Sequence, residues 1–123
     1  MLSKLLYVFI GGGIGSVLRF GISLLMMNVN KTAFPAATLI SNFLSCLVLG
    51  LTVFLLGEKF NSEISIRLLI LTGFCGGFST FSAFGFETIE LIRTGNTMYA
   101  VLNILLSLSL CLGIIYFLTR SQS

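Results

Sequence analysis

Apolar residues fill this chain in four long blocks. Uncharged intervals run from Thr32 to Gly57, from Leu68 to Phe86 and from Thr94 to Thr119, and a fourth, Leu5 to Asn30, is interrupted only by Arg19. Each is long enough for the roughly 20 residues that carry a helix across a hydrocarbon core. The pattern predicts four transmembrane helices at about 4–27, 35–57, 66–93 and 96–119, a single transmembrane domain over residues 1–123. Ordinary boundary signals separate them. Asn28 to Thr32 is polar, and Pro35 suits a first helical turn, where its missing N–H costs no helical bond. Gly57 to Ser65 reads as a charged loop and Thr94-Gly95-Asn96 as a short turn. Links this short set consecutive helices side by side and antiparallel.

Lys4 ahead of an apolar run has the outline of a signal peptide. The run is too long, holds an arginine and lacks a small-x-small cleavage site, so it is read as a helix of the mature protein.

Composition narrows the function classes. Hydrophobic residues make up 56% of the chain and charged residues 9%, with mean hydropathy +1.08, values that belong in a bilayer. The helices use nearly all of the sequence, leaving no room for a soluble catalytic module or a nucleotide-binding loop. The chain has no histidine, and its three cysteines, Cys46, Cys75 and Cys111, all lie inside apolar spans. That pattern predicts packing residues rather than a disulfide framework, and it speaks against a zinc or iron centre and against an enzyme. The net charge of +3 comes from basic residues scattered singly between helices, which form no nucleic-acid surface. With alternating spans, Lys4, Lys59, Arg67 and Arg120 fall on one side, against Lys31 and Arg93, with Arg19 near them, on the other. So weak a bias predicts insertion in both orientations.

Polar residues within the spans are the candidate chemistry, because the bilayer penalises them. Arg19 needs water, an anion or carbonyl oxygens beside it, and it is close enough to the helix end to snorkel. On the second span Thr38, Asn42, Ser45 and Cys46 form one polar stripe. Asparagine at such a position serves either an ion or a helix–helix contact. The first-span glycines, "GGGIG" at Gly11 to Gly15, are read as close-packing surface. In the third span, "GFCGGFSTFSAFGFE" couples a candidate break, Gly76-Gly77 followed by Ser79 and Thr80, to a row of Phe81, Phe84 and Glu87 at i, i+3, i+6. Unwound backbone is tolerated at membrane depth only where protein or a cavity receives it. On the fourth span, Asn103, Ser107 and Cys111 fall on one line, with Ser109 off it.

Taken together, "GGGIGSVLRF", "PAATLISNFLSCLVLG" and "GFCGGFSTFSAFGFE" resemble the Fluc or CrcB family of fluoride channels, over all four helices. The resemblance implies an all-α fold with a broken third helix, assembled as an antiparallel, dual-topology dimer with two pores. It also implies passive export of cytoplasmic fluoride, and so fluoride resistance, at a plasma membrane, in bacteria the inner one. By the same resemblance, Phe81 and Phe84 line the fluoride path with their ring edges and Asn42 hydrogen-bonds the ion. Ser82, Glu87, Asn103 and Ser107 form a polar track beside them, and Arg19 stands near an aqueous vestibule. The carbonyls of Gly76 and Ser79 would hold a central structural Na+. Serine at 79, where relatives commonly have threonine, is tolerable when the ligand is a carbonyl. A homodimer is expected, and a heterodimer with a related chain stays open.

Two other readings stand beside it. A small proton-coupled multidrug exporter also uses four helices and dual topology, but it wants a membrane-embedded carboxylate and usually tryptophan. Here the first span carries arginine and tryptophan is absent. A non-transporting assembly subunit would account for the glycines and leave the polar stripes without a role.

Overall fold

In the computed structural model, which describes residues 1–120, four helical segments are long and apolar enough to cross a membrane: Leu2–Val29, Ala36–Leu56, Ile64–Arg93 and Thr97–Thr119. The links between them are built from local polar chemistry. Asn30 closes the first: its amide donates to the Phe34 carbonyl at 2.7 Å, and its Oδ1 accepts from the Thr32 N–H and hydroxyl. Pro35 caps the start of the second helix. Gly95 turns the third span into the fourth with φ +86°, a conformation in which a side chain would be strained.

The stretch after the second span is not the loop expected for Gly57 to Ser65. Gly57, at φ +56°, ends the second helix, and Glu58–Ser62 then forms a short helix of its own. Phe60 explains the difference. It is buried against the bundle in the midst of polar neighbours, and winding the segment is how its ring reaches the core.

The third span is not uniform. Ile64–Ile66 is α-helical, Arg67–Cys75 is wound as a π-helix, and Gly76–Phe78 returns to α geometry. Backbone dihedrals turn extended at Ser79 (φ −91°, ψ 161°) and Thr80 (φ −153°, ψ 119°), and Phe81–Arg93 continues as α-helix. Each half has its own neighbours. The part before Ser79 packs on the first span, the part after Thr80 packs on the fourth, and the second and fourth spans pack on each other.

Packing on the first span is backbone against backbone. Gly11 and Gly15 on one helix meet Gly73 and Gly77 on the other, each pair spaced four residues apart. A Cβ at Gly15 would collide with the Phe74 carbonyl oxygen and stand 2.8 Å from the Phe78 nitrogen. A Cβ at Gly77 would collide with the Gly12 carbonyl oxygen. Small residues at this spacing allow close approach in lipid, where association depends on van der Waals contact rather than on the hydrophobic effect.

The polarity of the interior follows from the solvent. Thr38, Ser41, Ser45, Thr88, Asn103 and Ser107 are buried, while leucine and phenylalanine side chains such as Leu5, Phe9, Leu25 and Leu112 point outward. A lipid-facing surface costs these apolar groups nothing, and Ser45, Thr88, Asn103 and Ser107 find partners inside, while the Ser41 hydroxyl is buried without one.

Candidate ion pathway

Interrupting a helix at Ser79–Thr80 unpairs backbone groups, and side chains from elsewhere take them up. The Thr80 N–H, which a continuous helix would give to the Gly76 carbonyl, donates to Asn42 Oδ1 at 2.8 Å. Asn42 Nδ2 returns a longer bond, 3.4 Å, to the Thr80 carbonyl. Asn42 therefore pairs with both backbone groups of one residue, and its second amide hydrogen is left for another acceptor. The Ala83 N–H, whose helical partner would be the Ser79 carbonyl, goes instead to Thr80 Oγ1 at 3.2 Å. Thr80 is thus the N-cap of the distal helix.

These diversions leave the Gly76 and Ser79 carbonyls without their usual helical donors. The neighbouring carbonyls are occupied: Cys75 O accepts from Ser79 Oγ at 2.6 Å and from Ser45 Oγ at 3.1 Å, and Gly77 O accepts from Arg19 Nε at 3.1 Å. Arg19 accordingly finds the carbonyl oxygen that its position in the first span demanded. Cys75 Sγ donates back to the Ser45 carbonyl at 3.4 Å, so the second and third spans are tied twice at this level.

Beside the interruption lies a cavity of about 210 Å³, lined by Asn42, Cys46, Thr80, Phe84, Ser107 and Cys111, with Ser79 and Phe81 at its wall as well. The rings of Phe81 and Phe84 stand 5.8 Å apart, tilted by 40°. Phe84 is half-buried, whereas Phe81 is 83% exposed in the middle of a membrane-length segment. Glu87, next on the same face, lines a different cavity of about 300 Å³ with Glu90, Pro35 and Thr94 near the end of the span. Its Oε1 is buried and unpartnered. The Phe81–Phe84–Glu87 row therefore leads from one cavity toward the other.

Ser82 lies on the exposed side, its hydroxyl 3.1 Å from Thr80 Oγ1. On the fourth span Ser107 reaches the first cavity, but Asn103 does not line it. Asn103 is fully buried, donating to Thr88 Oγ1 at 3.0 Å and accepting from Ser107 Oγ at 3.3 Å. It stands behind Ser107 and orients that hydroxyl.

Two contributors escaped the sequence reading. Thr80 reads from the sequence as part of a break, although a threonine just before a resumed helical row is also an N-cap signal. Thr88, which joins the fourth span to the third through Asn103, carried no signal beyond being a hydroxyl within an apolar stretch.

Removing the Asn42 side chain has a direct test. Asn42→Ala leaves the Thr80 N–H and C=O unpaired, and a buried group in that state costs about 1–3 kcal/mol. The variant should unfold at lower denaturant and lose hydrogen-exchange protection at the Thr80 amide. Undiminished protection there would mean that Asn42 does not hold the interruption.

Residues 6–118 match the family described as CrcB-like protein, Camphor Resistance (CrcB). Among curated proteins, the chain is 43% identical over 108 residues to the "Fluoride-specific ion channel FluC" of Azobacteroides pseudotrichonymphae, covering 88% of this chain and 86% of that one. It is 45% identical over 109 residues to the protein of the same name from Serratia proteamaculans, covering 89% and 85%. A third, from Coxiella burnetii, is 41% identical over 111 residues, covering 89% and 90%. Similarity of this depth over the whole four-helix body makes the chain a multi-pass membrane member of the CrcB-like family.

Proposed function

We propose that this protein is a passive, fluoride-selective channel that works as an antiparallel dual-topology dimer with two pores. The observation that carries the reading is the cavity at the third-span interruption, which joins hydrogen-bond donors to aromatic edges and has no charged side chain in its lining. The relatives named as fluoride-specific channels support the choice of ion.

Fluoride is small and strongly hydrated, so a pore has to replace its water with donors. Asn42 offers its second amide hydrogen. The Thr80–Ser82 hydroxyl pair offers another: when Thr80 supplies the shared proton, the Ser82 proton is free for an anion. The Ser107 hydroxyl borders the same space and would donate to an ion only by turning its proton away from Asn103 Oδ1. Ring edges are electropositive through the aromatic quadrupole, so Phe81 and Phe84 can accompany an anion without the fixed charge that would trap it. Several weak sites in series favour exit as well as entry. Glu87 lies further along the row and belongs to the polar track at the second cavity. Arg19, half-exposed on the first span, contributes positive potential near the path while bonded to Gly77 O. Hydrogen fluoride that has entered a cell ionises in the less acidic interior, and the trapped anion leaves down its electrochemical gradient.

A second copy completes the site. Phe81 and Gly76 are exposed in one protomer, and the phenylalanine cavity opens outward rather than closing within the bundle. The weak sidedness of the basic residues suits partners inserted in opposite orientations. Two-fold symmetry then duplicates every site, which yields two pores. The Gly76 and Ser79 carbonyls, deprived of helical donors, fit a hard monovalent cation such as Na+ shared between copies. Such an ion would supply positive charge where carbonyl dipoles converge. The proton-coupled exporter reading has less support, because no carboxylate lines the phenylalanine cavity.

The test is efflux from liposomes containing the purified chain alone, loaded with fluoride or with chloride and read by ion-selective electrodes. Fluoride release without chloride release is the expected result. No release from well-folded protein would defeat the homodimeric channel, and recovery on adding a related chain would point to a heterodimer. Repeating the assay and a mass determination with sodium exchanged for a large organic cation should weaken both flux and dimer. Indifference of both would remove the cation from the proposal.

A further inference from the structure

Two cysteines line the phenylalanine cavity and have no part in the proposed ion path. Cys46 lies one turn beyond Asn42 on the second span, and Cys111 one turn beyond Ser107 on the fourth. Their spans pack directly together, and both cysteines line the wall of the same cavity. Both are free and half-exposed. The third cysteine differs in every respect: Cys75 is 6% exposed, bonded to the Ser45 carbonyl, and absent from the cavity.

We propose that Cys46 and Cys111 form a two-thiolate site for one soft, two-coordinate metal ion of the mercury(II) class, and that the bound ion obstructs the cavity. Thiolate sulfur selects soft ions. Among the described residues no three histidine, cysteine or acidic side chains gather anywhere, so ions that demand three or four such ligands find no site. Mercury(II) prefers two thiolates in a line, and the product is neutral, which avoids the cost of burying charge in an apolar wall. The step conserves oxidation state. Two S–H bonds break and two S–Hg bonds form, two chlorides leave HgCl2, and two protons pass to water. HgCl2 is uncharged, so the hydrocarbon core does not exclude it as it would an ion.

The obstruction half rests on the fluoride-channel reading, whereas the binding half does not. The probe is HgCl2, added to the full chain in liposomes. Mass spectrometry after N-ethylmaleimide treatment reads which cysteines remain reactive, and mercury analysis reads stoichiometry. One ion per chain is expected, with Cys46 and Cys111 becoming protected together and fluoride efflux falling over the same concentration range. Either Cys46→Ser or Cys111→Ser should raise the concentration needed to protect the remaining thiol by about a hundredfold, the usual scale of a lost second attachment. Cys75→Ser should leave the protection of Cys46 and Cys111 at the wild-type mercury concentration. Protection of the two wild-type thiols at widely different concentrations would overturn the site without recourse to any variant, as would serine variants of wild-type affinity. Full occupancy with unchanged efflux would overturn the obstruction. A chain that passes no fluoride before metal is added fails the channel reading instead, and the protection data still decide the site.

Discussion

Phe84→Ile should cut fluoride efflux from reconstituted vesicles by at least about thirtyfold while leaving a folded protein. Isoleucine keeps an apolar body in the cavity wall and removes only the electropositive ring edge. By analogy with a desolvated cation on a ring face, that edge is worth about 2 kcal/mol to an ion beside it, and this converts to about thirtyfold in rate. Phe84 is half-buried in the wall of the cavity that Asn42 and Ser107 also line. Phe81→Ile should behave alike, because its ring stands 5.8 Å from that of Phe84 on the same helical face. Its 83% exposure in a single protomer adds a distinction: the Phe81 variant should also loosen association between copies, which the Phe84 variant should not. Wild-type efflux from either variant would take that ring out of the pore.

The second large effect lies away from the phenylalanine cavity. Gly77→Ala should destabilise the protein by about 3 kcal/mol, the upper part of the usual range for overpacking. The new Cβ meets the carbonyl oxygen and backbone carbons of Gly12, and backbone cannot move aside as a side chain can. The first and third spans must separate, and the Arg19 bond to the Gly77 carbonyl is strained with them. Gly13→Ala is the matched control on the first span, since nothing else in the protomer lies within 4 Å of a Cβ built there. It should keep the protomer fold, helped slightly by the better helix propensity of alanine. Denaturation midpoints in detergent compare the two, and equal midpoints would mean that the glycine contact carries no weight.

Those glycines mark the limit of what could be read from the chain alone. Hydropathy located the four spans because lipid imposes length and apolarity directly on sequence. The spacing of Phe81, Phe84 and Glu87 showed a shared face because helical periodicity is local. Partnership is not local. Nothing near Gly15 says that it will meet Phe74, and nothing near Asn42 says that it will bond the backbone of Thr80 rather than a side chain on another span. Asn103 illustrates the same limit. Its line with Ser107 was visible, but burial behind Ser107 depends on Thr88, which lies on a different helix. The helix at Glu58–Ser62 was missed because charge dominated the local pattern, while a single ring, Phe60, decided the outcome. The π-winding of Arg67–Cys75 has no signature in residue type at all.

That winding carries a consequence for how the chain can change length. A π-turn closes its hydrogen bonds one residue later than an α-turn, so it holds about one residue in surplus. Over Arg67–Cys75 the surplus is stored beside the first span, with Gly73 inside it and Gly77 and the interruption that frames the cavity beyond it. Loss of one residue among Leu68 to Leu71 can therefore be absorbed by tightening to α geometry, with Gly77, Thr80 and Phe84 keeping their places. The same loss between Phe81 and Glu87 has no slack to draw on and would rotate the phenylalanine row off its face. The proximal half of the third span is tolerant of frame, and the distal half is not.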